Sequence, residues 1–139
     1  MPHTLDATMQ QCIDDCLHCY QTCFSEAMSH CLEMGGKHVA ARHFGLMINC
    51  AELCRTAAEF MMSNSSLHAR VCAACAEVCD ACVESCQQTG DMEVCIRACR
   101  TCASSCRNMA GTGTTAQGLA GSMPGAQSQT SQASVKAPM

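Results

Sequence analysis

The stretch CAACAEVCDACVESC, residues 72–86, places five cysteines at steps of three, four, three and four residues. On an α-helix, which turns about 100° per residue, these steps keep all five side chains within one stripe roughly 80° wide. The residues between them include no Gly and no Pro. The stretch therefore predicts a helix, over about residues 66–88, whose inner face is made of thiols: Cys72, Cys75, Cys79, Cys82 and Cys86.

Two other segments repeat this pattern with steps of four, three and four residues. The first predicted helix covers residues 5–34 and carries Cys12, Cys16, Cys19 and Cys23, and its stripe continues to Met9, His30 and Met34. Cys31 lies about 80° away from Cys23 on this helix, which predicts a position at the margin of the inner face. The last predicted helix covers residues 91–109 and carries Cys95, Cys99, Cys102 and Cys106.

The remaining predicted helix covers residues 37–62 and has a sparser thiol stripe. One face of it holds two cysteines in the middle and softer or polar residues toward the ends: His43, Met47, Cys50, Cys54, Ala57 and Met61. Gly-rich or Ser-rich turns of two to four residues separate the four helices. Such short connections predict an all-α, antiparallel up-down-up-down four-helix bundle with a Cys-lined core.

The bundle is predicted to occupy residues 4–110, and the composition changes after that. Residues 111–139 are rich in Gly, Ser, Thr, Ala and Gln, and show no apolar period. This composition is typical of a disordered tail, because it offers too little apolar surface to offset the entropy of folding.

The core has an unusual composition. The 139 residues include 16 Cys and 11 Met, but only 19 Leu, Ile, Val and Phe residues. These four types make up less than the roughly 20% typical of globular chains. Cysteine is buried readily but fills less volume than leucine. A core of thiols is therefore thinly packed unless something else fills it.

The net charge and the N-terminal sequence argue against some classes of function. A net charge of −4 gives no basic patch, so we expect no nucleic-acid partner. No apolar run approaches a membrane span, and the first residues lack a cationic segment followed by an apolar one. We therefore expect a cytoplasmic protein that does not associate with a membrane and whose thiols are kept reduced. Metal binding is then favoured over a disulfide scaffold.

The thiol spacing favours one metal chemistry. Iron–sulfur motifs and zinc knuckles place Cys-x-x-Cys pairs on loops, whereas the pairs here lie within continuous helical runs. The commonest unit is Cys-x-x-x-Cys, which occurs seven times, at 12/16, 19/23, 50/54, 75/79, 82/86, 95/99 and 102/106. Two thiolates at this spacing share one helix face and can reach one ion. Soft sulfur ligands in sets of two or three select Cu(I).

A bundle lined by Cys-x-x-x-Cys and Cys-x-x-Cys steps resembles the bacterial copper storage proteins, in particular their cytosolic branch. The resemblance covers residues 5–109. It implies storage of many Cu(I) ions by core thiolates, with ions taken up at one end where His and Met lie, often in a homotetramer. The implied ligands are Cys12, Cys16, Cys19, Cys23, Cys31, Cys50, Cys54, Cys72, Cys75, Cys79, Cys82, Cys86, Cys95, Cys99, Cys102 and Cys106, with His43 and Met47 at the bundle end.

We expect no enzymatic activity, because no charged residue falls on the cysteine stripes to act as an acid or base. A copper chaperone or a small-molecule thiol is the candidate copper donor. Two alternatives stay open: a metallothionein-like zinc or mixed-metal buffer, and a thiol redox protein. Ligand roles for His30 and Met61 also stay open, and His18, His38 and His68 are predicted to be solvated.

Overall fold

The computed structural model describes residues 6–121, and over this range the chain is helical without strands. Helix α1 covers Ala7–Glu26 and continues through a π-helical turn, Ala27–Cys31, into a last α-helical turn, Leu32–Met34. A 3₁₀ turn, Gly36–Val39, leads into α2, Ala41–Met62. Helices α3, His68–Thr89, and α4, Glu93–Gly121, complete the fold.

Each helix packs against two neighbours, so that α1–α2, α2–α3, α3–α4 and α4–α1 contacts close a ring around one core. Short connections between consecutive helices make neighbours in sequence antiparallel. The predicted four-helix bundle is confirmed. No helix in residues 6–121 combines the length and apolar character needed to cross a lipid bilayer.

Local sequence explains the helix ends. The Asp6 carboxylate accepts a hydrogen bond from the Met9 backbone N–H at 2.8 Å and so caps α1. Gly90 ends α3 with a φ of 85°, which glycine adopts without a steric penalty. The last helix was predicted to begin at residue 91, but Asp91 has a φ of 57° and α4 begins at Glu93. The first helical hydrogen bond instead runs from the Ile96 N–H to the Met92 carbonyl, at 2.9 Å.

Helix α4 continues past the predicted end at residue 109, to Gly121. The segment contains Gly but no Pro before position 124. Glycine costs a helix about 1 kcal/mol yet keeps its backbone N–H, whereas proline removes that donor. The helix end predicted from the composition of residues 111–121 therefore came too early in the chain. The predicted disorder of residues 122–139 concerns positions outside the described range.

All 16 cysteines are buried, each with at most 1% of its surface exposed. Alanines, methionines, Ile13 and Val83 fill the space between them. The core that holds this bundle together is therefore mainly sulfur and methyl groups.

Candidate metal centre

The cysteine stripes of the four helices face one another across the core. Thiols on different helices approach as closely as thiols on the same helix: Cys16 and Cys106 have their sulfur atoms 3.5 Å apart, as do Cys23 and Cys99. Within α1, the sulfur atoms of Cys19 and Cys23 lie 3.9 Å apart. All 16 thiols are free, so none is committed to a disulfide.

The thiols form overlapping groups along the bundle axis. In each group, the sulfur atoms all lie within 4.8 Å of one another. Five of the groups are Cys19/Cys23/Cys50/Cys99, Cys19/Cys50/Cys54/Cys79, Cys54/Cys75/Cys79/Cys102, Cys16/Cys75/Cys102/Cys106 and Cys12/Cys72/Cys106. Because successive groups share members, one thiolate can bridge ions in neighbouring groups. The arrangement is a continuous column of candidate sites.

Burial and mutual hydrogen bonding set the electrostatics of this column. Hydrogen bonds with Cys19, Cys23, Cys54 and Cys79 lower the pKa of Cys50 far below its usual range. The pKa of Cys54 is raised instead, mainly by its hydrogen bond with Cys102. The thiols thus share protons through one hydrogen-bonded network, and metal binding would displace these protons.

A π-helical turn brings Cys31 into the core. The sequence predicted a marginal position for this residue, but its side chain is fully buried. The turn Ala27–Cys31 adds one residue to the helical repeat and rotates the end of the helix back toward the axis. The same rotation turns Met34 outward, where it is 51% exposed and not on the inner stripe as predicted. His30 is likewise only partly buried.

Cys31 heads a mixed group at one end of the column. Its Sγ lies 3.8 Å from Nε2 of His43 and 4.0 Å from Sδ of Met92. Burial raises the pKa of the Cys31 thiol to about 11. One thiol, one imidazole and one thioether therefore meet where the thiol column ends.

His43 is held in place by a second residue. Its Nδ1 forms a 2.9 Å hydrogen bond with Oγ of Ser85, which leaves Nε2 facing Cys31. Burial lowers the pKa of His43, so the ring is kept neutral, the form that binds metals. The hydroxyl of Ser85 thus fixes the orientation of a candidate ligand.

Met47 lies on the inner face of α2, as its stripe predicted. Its Sδ is 3.7 Å from Sγ of Cys82 and 3.8 Å from Sγ of Cys86. Hydrogen bonds from Cys82 and Cys95 lower the pKa of Cys86 to about 4. The thioether of Met47 therefore contacts two thiols of the column, those of Cys82 and Cys86.

Two residues of this end were missed from the sequence. Met92 precedes Cys95 by three positions, so extending the α4 stripe by one turn backward would have found it. Ser85 carries no such signal, because its role depends on the approach of α2 to α3.

The remaining histidines separate into two kinds. His18 is exposed, as predicted, and His68 is partly buried, with its Nδ1 2.9 Å from the Ser65 carbonyl. His38 is only 3% exposed, so the prediction that it is solvated is wrong. The 3₁₀ turn folds it between His30 and His43, with ring centroids 5.2 Å and 6.1 Å away. We call the end of the bundle that holds His30, His38 and His43 the histidine end.

The opposite end is closed by methionines. Met9, Met61 and Met109 are 8%, 0% and 4% exposed and continue the stripes of α1, α2 and α4 beyond their last cysteines. We call this the methionine end. Its thiol group is Cys12, Cys72 and Cys106.

Comparison with known proteins gives a consistent match. A sequence model described as copper storage protein matches residues 5–111. A crystal structure of a Nitrosospira multiformis protein is 55% identical, with a TM-score of 0.74, and the match covers 76% of this chain and 96% of that one. Copper-free copper storage protein 3 of Bacillus subtilis is 33% identical, with a TM-score of 0.65 and coverage of 73% and 97%.

A third structure shows a cytosolic copper storage protein of Streptomyces lividans with five coppers. It is 28% identical, with a TM-score of 0.66 and coverage of 75% of this chain and 92% of that one. A curated cysteine-rich protein of Bacillus subtilis, YhjQ, is 33% identical over 68 residues. That alignment spans 49% of this chain and 62% of YhjQ.

Proposed function

Since the chain belongs to the copper storage protein family, we propose that it stores multiple Cu(I) ions in the thiol column of its bundle. The observation that carries this proposal is the overlap of the cysteine groups. Shared sulfur atoms run from Cys12 at one end to Cys23 near the other. A column of shared thiolates suits a soft ion that accepts two or three sulfur ligands and tolerates bridging. A zinc site, in contrast, requires four ligands of its own.

The ligands in this proposal are the 16 cysteines, with His43 and Met47 at the histidine end. The sulfur–sulfur distances of 3.5–4.0 Å support it. They leave room for an ion with metal–sulfur bonds of about 2.3 Å. Binding would displace the thiol protons and fill the thinly packed core.

The protein acts as a store and not as an enzyme. The inner face presents thiols, thioethers and neutral imidazole, and the charged side chains lie outside it, such as the exposed Arg107–Asp80 pair. We place the protein in the cytosol, as the Streptomyces lividans relative is described. A copper chaperone or a small-molecule thiol would deliver the ions.

We also propose a homotetramer. Helix α1 and its extension carry an apolar stripe on the side away from the core, and its members are 37–53% exposed: Leu17, Phe24, Met28 and Leu32. An exposed stripe of this kind is typical of a helix face that packs against another subunit. Light scattering on the purified chain tests this, and a monomeric mass would overturn it.

An anaerobic Cu(I) titration against a chelator of known affinity, read by native mass spectrometry, tests storage. We expect many ions per chain, with release of protons. Uptake of only one or two ions, or Zn²⁺ that persists under a strong Cu(I) challenge, would contradict the proposal. The variant Cys50→Ala/Cys102→Ala should lose several ions because these thiols belong to several groups. The matched control Ala51→Ser/Ala103→Ser should keep full capacity.

A further inference from the structure

In one thiol group of the column, every sulfur atom contacts the other three. We call this group the four-thiol site, and its members are Cys19, Cys23, Cys50 and Cys99. The six sulfur–sulfur distances run from 3.5 Å, between Cys23 and Cys99, to 4.0 Å, between Cys19 and Cys50. The other four distances are 3.7 or 3.9 Å. The four sulfur atoms therefore form a nearly regular tetrahedron.

The size of this tetrahedron matches a zinc ion. The centre of a regular tetrahedron lies about 0.61 of the edge length from each corner, so an ion there is about 2.3 Å from each sulfur atom, which is the Zn–S bond length in proteins. Thiols that only pack together have similar separations. Structural zinc requires more than that, namely a closed set of four ligands around one point. The four-thiol site provides such a set.

The fold supplies the four corners from three helices. Cys19 and Cys23 lie one turn apart on α1, at the spacing that places two side chains on the same helix face. Helix α1 is a neighbour of both α2, which carries Cys50, and α4, which carries Cys99. An ion at this position therefore joins α2 and α4, which lie diagonally opposite each other in the bundle.

The surroundings of the site are dry but not apolar. All four thiols are fully buried. The sulfur atom of Cys50 lies 3.7 Å from that of Cys79 and 4.0 Å from that of Cys54. A Zn²⁺ ion with four thiolates retains two negative charges, and S–H groups at these two positions can donate hydrogen bonds to them. Such outer partners strengthen metal sites and reduce the cost of burying charge.

From this geometry we propose that the copper-free protein binds Zn²⁺ at the four-thiol site and that Cu(I) later displaces it. Binding of one Zn²⁺ releases four thiol protons and stabilises a bundle whose core is otherwise thinly packed. Cu(I) then takes over the same sulfur atoms, because soft thiolates select it. The zinc site itself rests on the copper-free fold, and only its displacement rests on the proposed storage function.

The variant Cys23→Ala removes one corner of the tetrahedron. Zn²⁺ is titrated anaerobically into the reduced, copper-free protein in competition with a chromogenic chelator. We expect the Kd of the first Zn²⁺ to rise at least about tenfold, since even the outer partner of a metal ligand contributes that much. The matched control is Cys12→Ala, which removes a buried thiol of the column outside the site and should keep the wild-type Kd. Equal Kd values in the two variants would overturn the inference.

A measurement on the wild-type chain covers the case in which the variant does not fold. Co²⁺ substitutes for Zn²⁺ in tetrahedral sites, and its visible absorption reports the geometry and the number of thiolate ligands. One equivalent of Co²⁺ should give the intense bands of tetrahedral four-thiolate cobalt, and added Zn²⁺ should abolish them. The weak absorption of six-coordinate Co²⁺ would overturn the zinc site and leave copper storage intact. Zn²⁺ that stays bound under excess Cu(I) would overturn the displacement and, with it, storage.

Discussion

The two ends of the bundle differ although the same cysteine stripes lead to both. At the methionine end, Met9, Met61 and Met109 close the core with apolar thioethers. At the histidine end, partly exposed His30 connects to buried His38 and His43, and so to Cys31. Imidazole nitrogens can bind metal ions, whereas these three methionines fill the end of the core. The residues that end each stripe, and not the stripes, therefore give the column a direction.

The largest effect should come from the metal itself. When the free Cu(I) concentration is a thousand times the Kd of a site, binding at that site adds about 4 kcal/mol to the stability of the folded state. Cu(I) loading should raise the midpoint of thermal unfolding strongly, as measured by anaerobic calorimetry. A chelator that removes the copper should restore the lower midpoint. If the copper-treated protein unfolds at the same midpoint temperature as the copper-free protein, the column binds no metal in the folded state.

At the methionine end, Met61→Ala should destabilise the copper-free bundle by about 2–5 kcal/mol, because it leaves a cavity at a fully buried position. Its neighbour Met62 is 46% exposed, and Met62→Ala should change stability by less than about 0.5 kcal/mol. Chemical denaturation under reducing conditions measures both. We expect Met61→Leu, which keeps the volume, to load copper at the wild-type rate. Slower loading would give this end a part in uptake.

At the histidine end, Ser85→Ala removes the partner of Nδ1 of His43. Leaving that nitrogen buried and unsatisfied should cost about 1–3 kcal/mol, and the freed ring should slow copper uptake. Ser104→Ala changes an exposed serine of α4 and serves as the control, with an effect below about 0.5 kcal/mol. Denaturation and stopped-flow transfer provide the two measurements. Equal uptake rates in the two variants would contradict a positioning role for Ser85.

The smallest effect should be a pH dependence at Cys31. Its pKa is raised in the folded protein from the ordinary 9.0 to about 11, so folding favours the protonated thiol. The stability linked to this group is therefore complete below pH 9 and is lost as the pH rises through 11. Thermal unfolding of the copper-free, reduced protein across this range should show the loss. In Cys31→Ala the loss should be smaller, and an unchanged pH profile would contradict the assignment.

Sequence periodicity predicted most of the fold and of the column. Steps of three and four residues require a helix if all thiols are to share one face, and short turns require antiparallel neighbours. The same helical periodicity predicts that Met47, Cys50 and Cys54 face the core, and all three are buried in the structure. The helix that runs to Gly121 did not follow, because composition alone does not distinguish a glycine-containing helix from a coil.

The sequence by itself determined that four thiol-lined helices surround a core suited to soft metal ions, because helical periodicity is a local property of the chain. The tertiary structure decided the arrangement at the ends of that core. A π-helical turn rotated Cys31 inward, a 3₁₀ turn buried His38, and the approach of α3 to α2 gave His43 its hydrogen bond with Ser85. These features depend on contacts between segments distant in sequence, or on a local change of helical repeat that packing selects, so no regular spacing could have revealed them.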